Sequence, residues 1–204
     1  MLLSYENVID PWLRDVRRLT PDFAGMQPGE RVLDVCCGTG EQVFEYGRRG
    51  IIANGIDSSR DMLMVALKNR HKQNTACVRF RLANAAHLPF PNDYYDYASI
   101  SFGLHDKERP LRDQVVTEMQ RVVKPGGSLI MTDFQVPLPG NLWAMLVRTV
   151  EFIAGGSHYR GFRDYLKNGG LDGLKSQQGL GEHSRAYLKS GVILMMKLAN
   201  AKAG

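Results

Sequence analysis

Residues 32–41 read Val-Leu-Asp-Val-Cys-Cys-Gly-Thr-Gly-Glu, the pattern of an apolar strand that runs into a glycine-rich turn and then a helix. Gly38 and Gly40 have no Cβ, so a ligand can approach the backbone of this turn closely. A dinucleotide fingerprint requires a third glycine where this chain has Val43, because a pyrophosphate sits at that helix N-terminus. Val43 therefore disfavours a pyrophosphate ligand, and with it a nicotinamide-dependent dehydrogenase.

Apolar runs of strand length recur along the chain, with helix-like spacing between them. The strand candidates are residues 31–37, 50–57, 78–83, 95–102, 127–134, 182–189 and 191–198, and the helix candidates are 40–49, 58–70, 109–123 and 142–154. The alternation of the first five strands with helices predicts a parallel sheet, and Gly191 predicts a hinge between a terminal antiparallel pair. We expect an α/β protein with a Rossmann-like, seven-stranded, mostly parallel sheet and helices on both faces. A helix stop is expected at 124–127, which reads Lys-Pro-Gly-Gly, and a glycine-rich connection after the helix 142–154.

Acidic side chains end the first two strands. Asp34 places a carboxylate where an ammonium group, such as that of a cationic amino-acid ligand, is the natural partner. Asp57 lies where a carboxylate can accept hydrogen bonds from both hydroxyls of a ribose. A cap for the following helix is the alternative role of Asp57.

These residues, together with Leu88-Pro89-Phe90 and the run 121–127, closely resemble class I S-adenosylmethionine-dependent methyltransferases over residues 30–134. The resemblance implies S-adenosyl-L-methionine as cofactor and S-adenosyl-L-homocysteine as product. It also implies a contact to adenine after the third strand, where Asn84 replaces the usual acid but can still accept a hydrogen bond. The candidate cofactor-binding residues are Asp34, Cys36, Gly38, Thr39, Gly40, Asp57, Ser58, Met62, Asn84, Ala85 and Ser101.

A single methyltransferase domain over 1–204 follows from this interpretation, because 204 residues with 44% hydrophobic content suffice for the core of one α/β domain. Its expected parts are a helical cover over 1–29, a cofactor-binding core over 30–134, and acceptor-side helices with the terminal strand pair over 135–204.

The acceptor side is expected at the segment 101–106, since the carboxyl ends of parallel strands face the ligand crevice. His105 is the candidate catalytic residue, either as a base for a phenol-like acceptor or as an acceptor-orienting group, with Asp106 or water orienting its ring. A histidine that merely packs in the loop is the alternative.

Residues 102–104, Glu118, Arg121 and 132–137 resemble the ubiquinone and menaquinone C-methyltransferase branch of the family, which implies a hydrophobic, quinone-like or phenolic acceptor. The chain differs from that branch at His105-Asp106, where the branch has Arg-Asn, and in its shorter N-terminal segment. Methylation of a lipid-headgroup nitrogen, and cofactor binding without transfer, remain alternatives.

Two segments could contact the acceptor. The apolar helix 142–154, with Trp12, could cover a lipophilic acceptor, against ordinary core or dimer packing. The segment 159–165 combines aromatic and basic side chains that suit an anionic or π-rich acceptor, against a solvated helix face. Its most suitable members are Tyr159, Arg160, Phe162, Arg163 and Tyr165.

Charge and cysteine content indicate which partners and which cellular compartment to expect. Residues 155–204 carry 8 basic and 3 acidic side chains, which account for the whole net charge of +5. Peripheral membrane contact is an alternative to a solvated face, whereas a nucleic-acid partner is not expected. The three cysteines, Cys36, Cys37 and Cys77, form neither a disulfide framework nor a metal-ligand spacing, so we expect packing roles for Cys36 and Cys37, a cytoplasmic protein and no metal.

Overall fold

The computed structural model describes residues 11–73, 77–200 and 202. The first ten residues of the predicted helical cover lie outside the described residues. The helices are α1 (Arg14–Ala24), α2 (Glu41–Arg48), α3 (Arg60–Gln73), α4 (Arg109–Val122), α5 (Leu142–Ala154), α6 (Gly156–Lys167) and α7 (Gly170–Gln177). The strands are β1 (Arg31–Val35), β2 (Ile52–Asp57), β3 (Val78–Leu82), β4 (Tyr95–Ser101), β5 (Val123–Phe134), β6 (Gly181–Leu188) and β7 (Ile193–Ala199).

The predicted fold class is confirmed: seven strands form one mostly parallel sheet in the order β3-β2-β1-β4-β5-β7-β6. Every predicted strand and helix is present, although its ends differ by a few residues. The described helices do not include one that is long and apolar enough to cross a membrane.

The chain divides into two compact units, with the boundary in sequence between Ala85 and Ala86. In the first unit, β1 pairs in parallel with β2 and β2 with β3. The side chains of β1 after Arg31 are all buried, which explains why they are apolar apart from Asp34. The single-domain prediction for 1–204 stays a prediction.

In the second unit, β4 pairs in parallel with β5, whereas β7 is antiparallel to both β5 and β6. The hinge predicted at Gly191 is confirmed, because Lys189, Ser190 and Gly191 all have positive φ angles in the turn from β6 to β7. Such a turn reverses the chain within a few residues and makes the terminal pair antiparallel.

The helix stop predicted at 124–127 is confirmed, since α4 ends at Val122. The strand, however, begins at Val123 rather than at the predicted Gly127. The pairing of β4 with β5 jumps from Tyr95↔Val123 to Tyr97↔Ser128, so the intervening residues bulge out of the ladder.

The glycine-rich connection predicted after α5 is wrong, because helices α6 and α7 occupy that segment. Glycine disfavours helix, but Leu171 and Leu174 of α7 are buried within the second unit, to which α7 belongs. Burial of the two leucine side chains stabilises the helix by more than its glycines cost.

Two motifs that carry the family resemblance meet in the second unit. Arg121 pairs with Glu118 at 2.7 Å and donates hydrogen bonds to the carbonyl oxygens of Leu88 and Phe90. The Leu88 amide donates to Glu118 at 2.7 Å. The Arg121 side chain, with that amide, holds the pKa of Glu118 below its ordinary value despite partial burial. These polar contacts fasten the loop at 88–90 to α4.

Candidate active site

The glycine-rich turn between β1 and α2 is held by backbone hydrogen bonds to its neighbours. The Cys37 amide donates to the Ile56 carbonyl at 2.8 Å, and the Gly40 amide donates to the Cys37 carbonyl at 3.0 Å. Cys36, Gly38 and Gly40 all have positive φ. Three left-handed residues and these backbone hydrogen bonds therefore fix the conformation of the turn.

Asp57 joins this turn to the start of α3. One carboxylate oxygen accepts from the Gly38 amide at 2.8 Å, and the other accepts from the Ser59 amide at 2.8 Å. The second contact is the helix cap that the sequence offered as an alternative. A carboxylate has about four acceptor positions, so both amides can be bonded while capacity for ribose hydroxyls remains.

The two glycines of the turn have different surroundings. A Cβ added to Gly38 would meet nothing within 4 Å, whereas one added to Gly40 would lie 2.6 Å from the ring of Phe80. Gly38 thus faces open space that a ligand can use, and Gly40 lets α2 pack closely in the unit.

Val43 takes the place of the third fingerprint glycine without forcing the helix away from the sheet. The close approach is supplied from the strand instead, because a Cβ on Gly55 would lie 2.8 Å from Val43 Cγ2. Val43 is fully buried in this contact. Gly55 of β2 thus allows the close packing of helix on strand that the third glycine, in the helix, allows in a dinucleotide-binding fold.

We expect Gly40→Ala and Gly38→Ala to separate stability from ligand binding. Gly40→Ala adds a clash with Phe80 to the strain of a positive φ and should lower the free energy of unfolding by about 2–4 kcal/mol. Gly38→Ala adds only the strain, about 1–2 kcal/mol, but places a methyl group where a ligand would approach. Denaturant unfolding and calorimetric titration with S-adenosylhomocysteine measure the two effects. Equal effects of both variants on stability and on binding would contradict this division.

The surroundings of Cys37 are apolar and negatively charged. Burial raises the pKa of its thiol well above the ordinary value, and the charges of Asp34 and Asp57 raise it further. A thiol of this kind stays protonated, which supports a packing role rather than a redox or metal role. Asp34 is itself almost fully buried.

The remaining cofactor candidates differ in exposure. Ser58 and Asn84 are exposed, Met62 is half-buried, and Thr39 and Ala85 are buried. All of these lie in the first unit, while Ser101 is half-buried in the second. Their contact with the cofactor stays a prediction.

A cavity of about 480 Å³ in the first unit has a charged lining. Its wall comprises Pro11, Arg14, Arg17, Arg18, Glu41, Glu45, Arg48 and Asn69. The candidate cofactor residues do not line it, although Glu41 directly follows Gly40. The cavity is therefore separate from the predicted contacts.

Asp57→Ala should weaken S-adenosylhomocysteine binding by about 1–3 kcal/mol, the loss of a charged acceptor for paired hydroxyls. The structure favours the upper end, since the variant also frees the Gly38 amide that fixes the turn. Asp61→Ala, on the exposed first turn of α3, is the matched control and should leave affinity unchanged. Calorimetry measures both; unaltered affinity in a folded Asp57→Ala protein would leave Asp57 only its cap role.

In the second unit, His105 is buried and held by Asp133. Its Nδ1 lies 2.7 Å from Asp133 Oδ1, and its amide donates to Oδ2 at 3.2 Å. Asp133 also accepts from the amides of Leu104 at 3.2 Å and Phe134 at 2.8 Å. The carboxylate thus fixes both the loop after β4 and the orientation of the His105 ring.

Aromatic rings and Arg112 enclose the same loop. The His105 ring centroid lies 4.8 Å from that of Phe134, with Phe162 and Tyr165 beyond it at 6.3 and 6.5 Å. Buried Arg112 donates to the Leu104 carbonyl at 3.0 Å and pairs with Asp164 of α6 at 3.3 Å. The loop conformation is therefore fixed from several sides.

The second nitrogen of His105 faces a further carboxylate. Nε2 lies 3.7 Å from Glu151 Oε1, and the other oxygen of Glu151 is 2.7 Å from His158 Nε2. Burial lowers the pKa of His105, but the charge and hydrogen bond of Asp133, with Glu151, outweigh it and raise that pKa above its ordinary value.

These contacts correct two interpretations of the sequence. Asp106 does not orient His105, because Asp106 pairs with Lys107 at 3.0 Å while Asp133 holds the ring. Phe162 and Tyr165 do not form an acceptor-facing surface, because both are buried. Their apolar rings pack around His105, which stabilises them more than exposure to water would.

Sequence reasoning missed four residues of this cluster: Asp133, Glu151, His158 and Arg112. Asp133 had a usable signal, an acid inside an otherwise apolar strand. Glu151 had a weaker one, since it shares the inward stripe of α5 with Ala144 and Val147. Nothing in the sequence alone marked His158 or Arg112.

Helix α5 presents its large apolar side chains to solvent. Its buried residues are Ala144, Val147 and Glu151. Its exposed side chains include Leu142, Trp143, Met145, Leu146, Val150, Phe152 and Ile153, with exposed fractions of 45–78%. A continuous apolar helix surface of this kind is typical of an interaction site.

Solved structures of other proteins share this architecture. The fold is shared with a SAM-dependent methyltransferase from Aquifex aeolicus, at a TM-score of 0.68 and 16% identity over 90% of this chain and 88% of that one. Phosphoethanolamine N-methyltransferase 2 of Haemonchus contortus, solved with S-adenosyl-L-methionine, shares it at a TM-score of 0.65 and 22% identity, over 87% and 39% of the two chains. These likenesses define the class of fold.

The chain belongs to the ubiE/COQ5 methyltransferase family, whose sequence model matches residues 9–143. It is 38% identical over 124 residues to a demethylmenaquinone methyltransferase of Renibacterium salmoninarum, covering 61% of this chain and 49% of that protein. The chain spans about half the length of the curated relatives it matches.

Proposed function

We propose that this protein is an S-adenosyl-L-methionine-dependent methyltransferase that methylates a quinone-like ring. The observation that carries the proposal is the Gly38–Asp57 arrangement in a chain of the ubiE/COQ5 family. A carboxylate locked beside a turn with open space in front of it suits a nucleoside with free ribose hydroxyls. The relatives named demethylmenaquinone methyltransferase support the choice of acceptor.

The donor side belongs to the first unit in this proposal. Asp57 accepts from the ribose hydroxyls, Asn84 contacts the adenine, and the buried Asp34 attracts the amino-acid ammonium, directly or through water. The turn at 36–40 lets the cofactor approach the backbone closely.

The reaction needs little covalent chemistry from the protein. A ring carbon of the reduced, electron-rich acceptor attacks the methyl group, the carbon–sulfur bond breaks, and the sulfonium becomes the thioether of S-adenosylhomocysteine. The proton on that ring carbon then passes to water, which restores the aromatic ring. Alignment of the two reactants accounts for most of the rate.

For His105 we propose an acceptor-orienting role rather than that of a base. Nδ1 is bonded to Asp133, and the ring is almost fully buried with Nε2 facing Glu151, so neither nitrogen is directed to an acceptor proton. A ring fixed on both sides is suited to positioning, because its orientation costs no entropy during the reaction.

The acceptor of the proposed reaction is lipophilic, and the exposed side of α5 fits a membrane surface that carries it. Trp143, Leu146 and Phe152 provide the apolar contact that an interfacial helix needs. Part of the basic excess after residue 154 is internally paired, for example Arg185 with Asp172 at 2.9 Å, so the apolar contact rather than charge dominates. We propose a cytoplasmic enzyme at the membrane surface, with its three cysteines as thiols outside disulfide bonds.

Sedimentation with vesicles tests this surface. The wild-type chain should pellet with vesicles of neutral phospholipid, and Trp143→Ser combined with Phe152→Ser should weaken that binding at least about 10-fold, since each side chain removes roughly 1 kcal/mol or more of apolar contact. Tyr187→Ser, an exposed aromatic on β6, is the control. A concentration-dependent dimer disrupted by the same double variant would instead assign α5 to a protein interface.

A further inference from the structure

We propose that His105, Glu151 and His158 form a binding site for a divalent transition-metal ion. Each residue offers one ligand atom, and these atoms lie within 4.8 Å of one another. Tetrahedral zinc with bonds of about 2.0–2.1 Å places its ligand atoms roughly 3.3 Å apart, so a small inward movement of the side chains suffices.

The chemistry of the donors fits such an ion. In the tautomer that donates Nδ1–H to Asp133, the lone pair is on Nε2, the nitrogen that faces Glu151. A histidine that binds a metal ion through one ring nitrogen commonly donates the N–H of the other to a carboxylate. Two histidines and one carboxylate are a common set for zinc and other transition metals.

Charge balance in the cluster favours an added cation. Asp133 and Glu151 are both buried carboxylates, and both face the ring of His105. Glu151 also lies in the last turn of α5, where the helix dipole disfavours a carboxylate. A divalent ion between Glu151 and the two histidines would place positive charge beside both buried carboxylates.

The positions of helices α5 and α6 would give the ion a path to the site and a structural role. Glu151 lies in the last turn of α5 and His158 in the first turn of α6, and Gly155 between them has a φ of 63° that allows the two helices to turn towards one point. The His158 side chain is 38% exposed, so an ion can enter past it and keep a position for water or another oxygen ligand. An ion there would join both helices to the loop after β4.

Metal binding can be measured on the full chain without any methyl acceptor, so this test is independent of the proposed function. After chelator treatment, the protein is dialysed against zinc and its metal content is measured by mass spectrometry. We expect one zinc per chain, and cobalt should give the visible absorption of a tetrahedral site. Zinc should also raise the melting temperature.

His158→Ala and Glu151→Gln should each lower zinc affinity at least about 100-fold, because each changes a direct metal ligand. Loss of a residue that only hydrogen-bonds to a ligand already costs about 10–100-fold. Asp133→Asn should cost about 10–100-fold. His183→Ala, on the exposed part of β6, is the matched control and should bind as the wild type does. Circular dichroism of each metal-free variant checks its fold.

Wild-type protein that binds no stoichiometric zinc, cobalt or nickel would overturn the site. So would zinc binding retained by His158→Ala and Glu151→Gln, or lost in His183→Ala. Nitrogen NMR of the wild-type histidines avoids dependence on variants: zinc should shift Nε2 of His105 and His158 and leave His183 unchanged. Unshifted signals would show that the cluster holds only protons.

Discussion

Asp133→Ala is expected to lower the free energy of unfolding by about 3–5 kcal/mol, the usual consequence of removing one partner from a buried charged network. Asp133 is fully buried and accepts from three backbone amides and from His105. Alanine leaves those donors without a partner and without access to water. Denaturant unfolding at neutral pH, with the slope compared between proteins, measures the loss.

Asp106→Ala is the matched control, because Asp106 neighbours His105 in sequence but only pairs with Lys107 near the surface. Its loss should change stability by no more than about 1 kcal/mol. Should the two variants cost the same, or should Asp133→Ala cost less than 1 kcal/mol, the network would not be what fixes the loop after β4.

His105→Ala is expected to lower turnover about 100-fold while leaving S-adenosylhomocysteine affinity nearly intact, because misplacement of a reactant costs rate without removing the cofactor contacts. His105→Asn should retain more activity, since its amide can still donate to Asp133. Turnover and calorimetric affinity are measured on the same preparations.

The pH dependence of the His105→Ala loss separates orientation from base catalysis. A phenolic acceptor ionises without help at high pH, so loss of a base would matter less at about pH 9.5 than at about pH 7. We expect the same fold-loss at both. A loss that shrinks with pH would return His105 to the role of a base, and full activity would remove it from the mechanism.

Much of the fold could be predicted because its signals are local. The apolar runs, the turn at 38–40 and the Gly191 hinge each depend on residues adjacent in sequence. Helix α7 could not be predicted, because the burial of Leu171 and Leu174 overrides its glycines only after the chain has folded.

The candidate site, too, could be predicted only where its signals are local in the sequence. Asp57 was predicted from its place at the end of a strand, whereas its bond to Gly38 joins residues 19 apart. The partner of His105 was misassigned to neighbouring Asp106, because sequence proximity gave no view of Asp133, 28 residues away. Glu151 and His158 join them only through helix packing, which no spacing rule encodes.

The proposed methyl transfer can be measured with labelled S-adenosyl-L-methionine and a reduced, prenylated naphthoquinone that lacks its ring methyl. We expect label on a ring carbon of the quinone product, stoichiometric formation of S-adenosylhomocysteine, and loss of both in Asp57→Ala at limiting cofactor. A folded protein that binds S-adenosylmethionine but leaves the quinone unlabelled, or that labels a lipid amine instead, would contradict it.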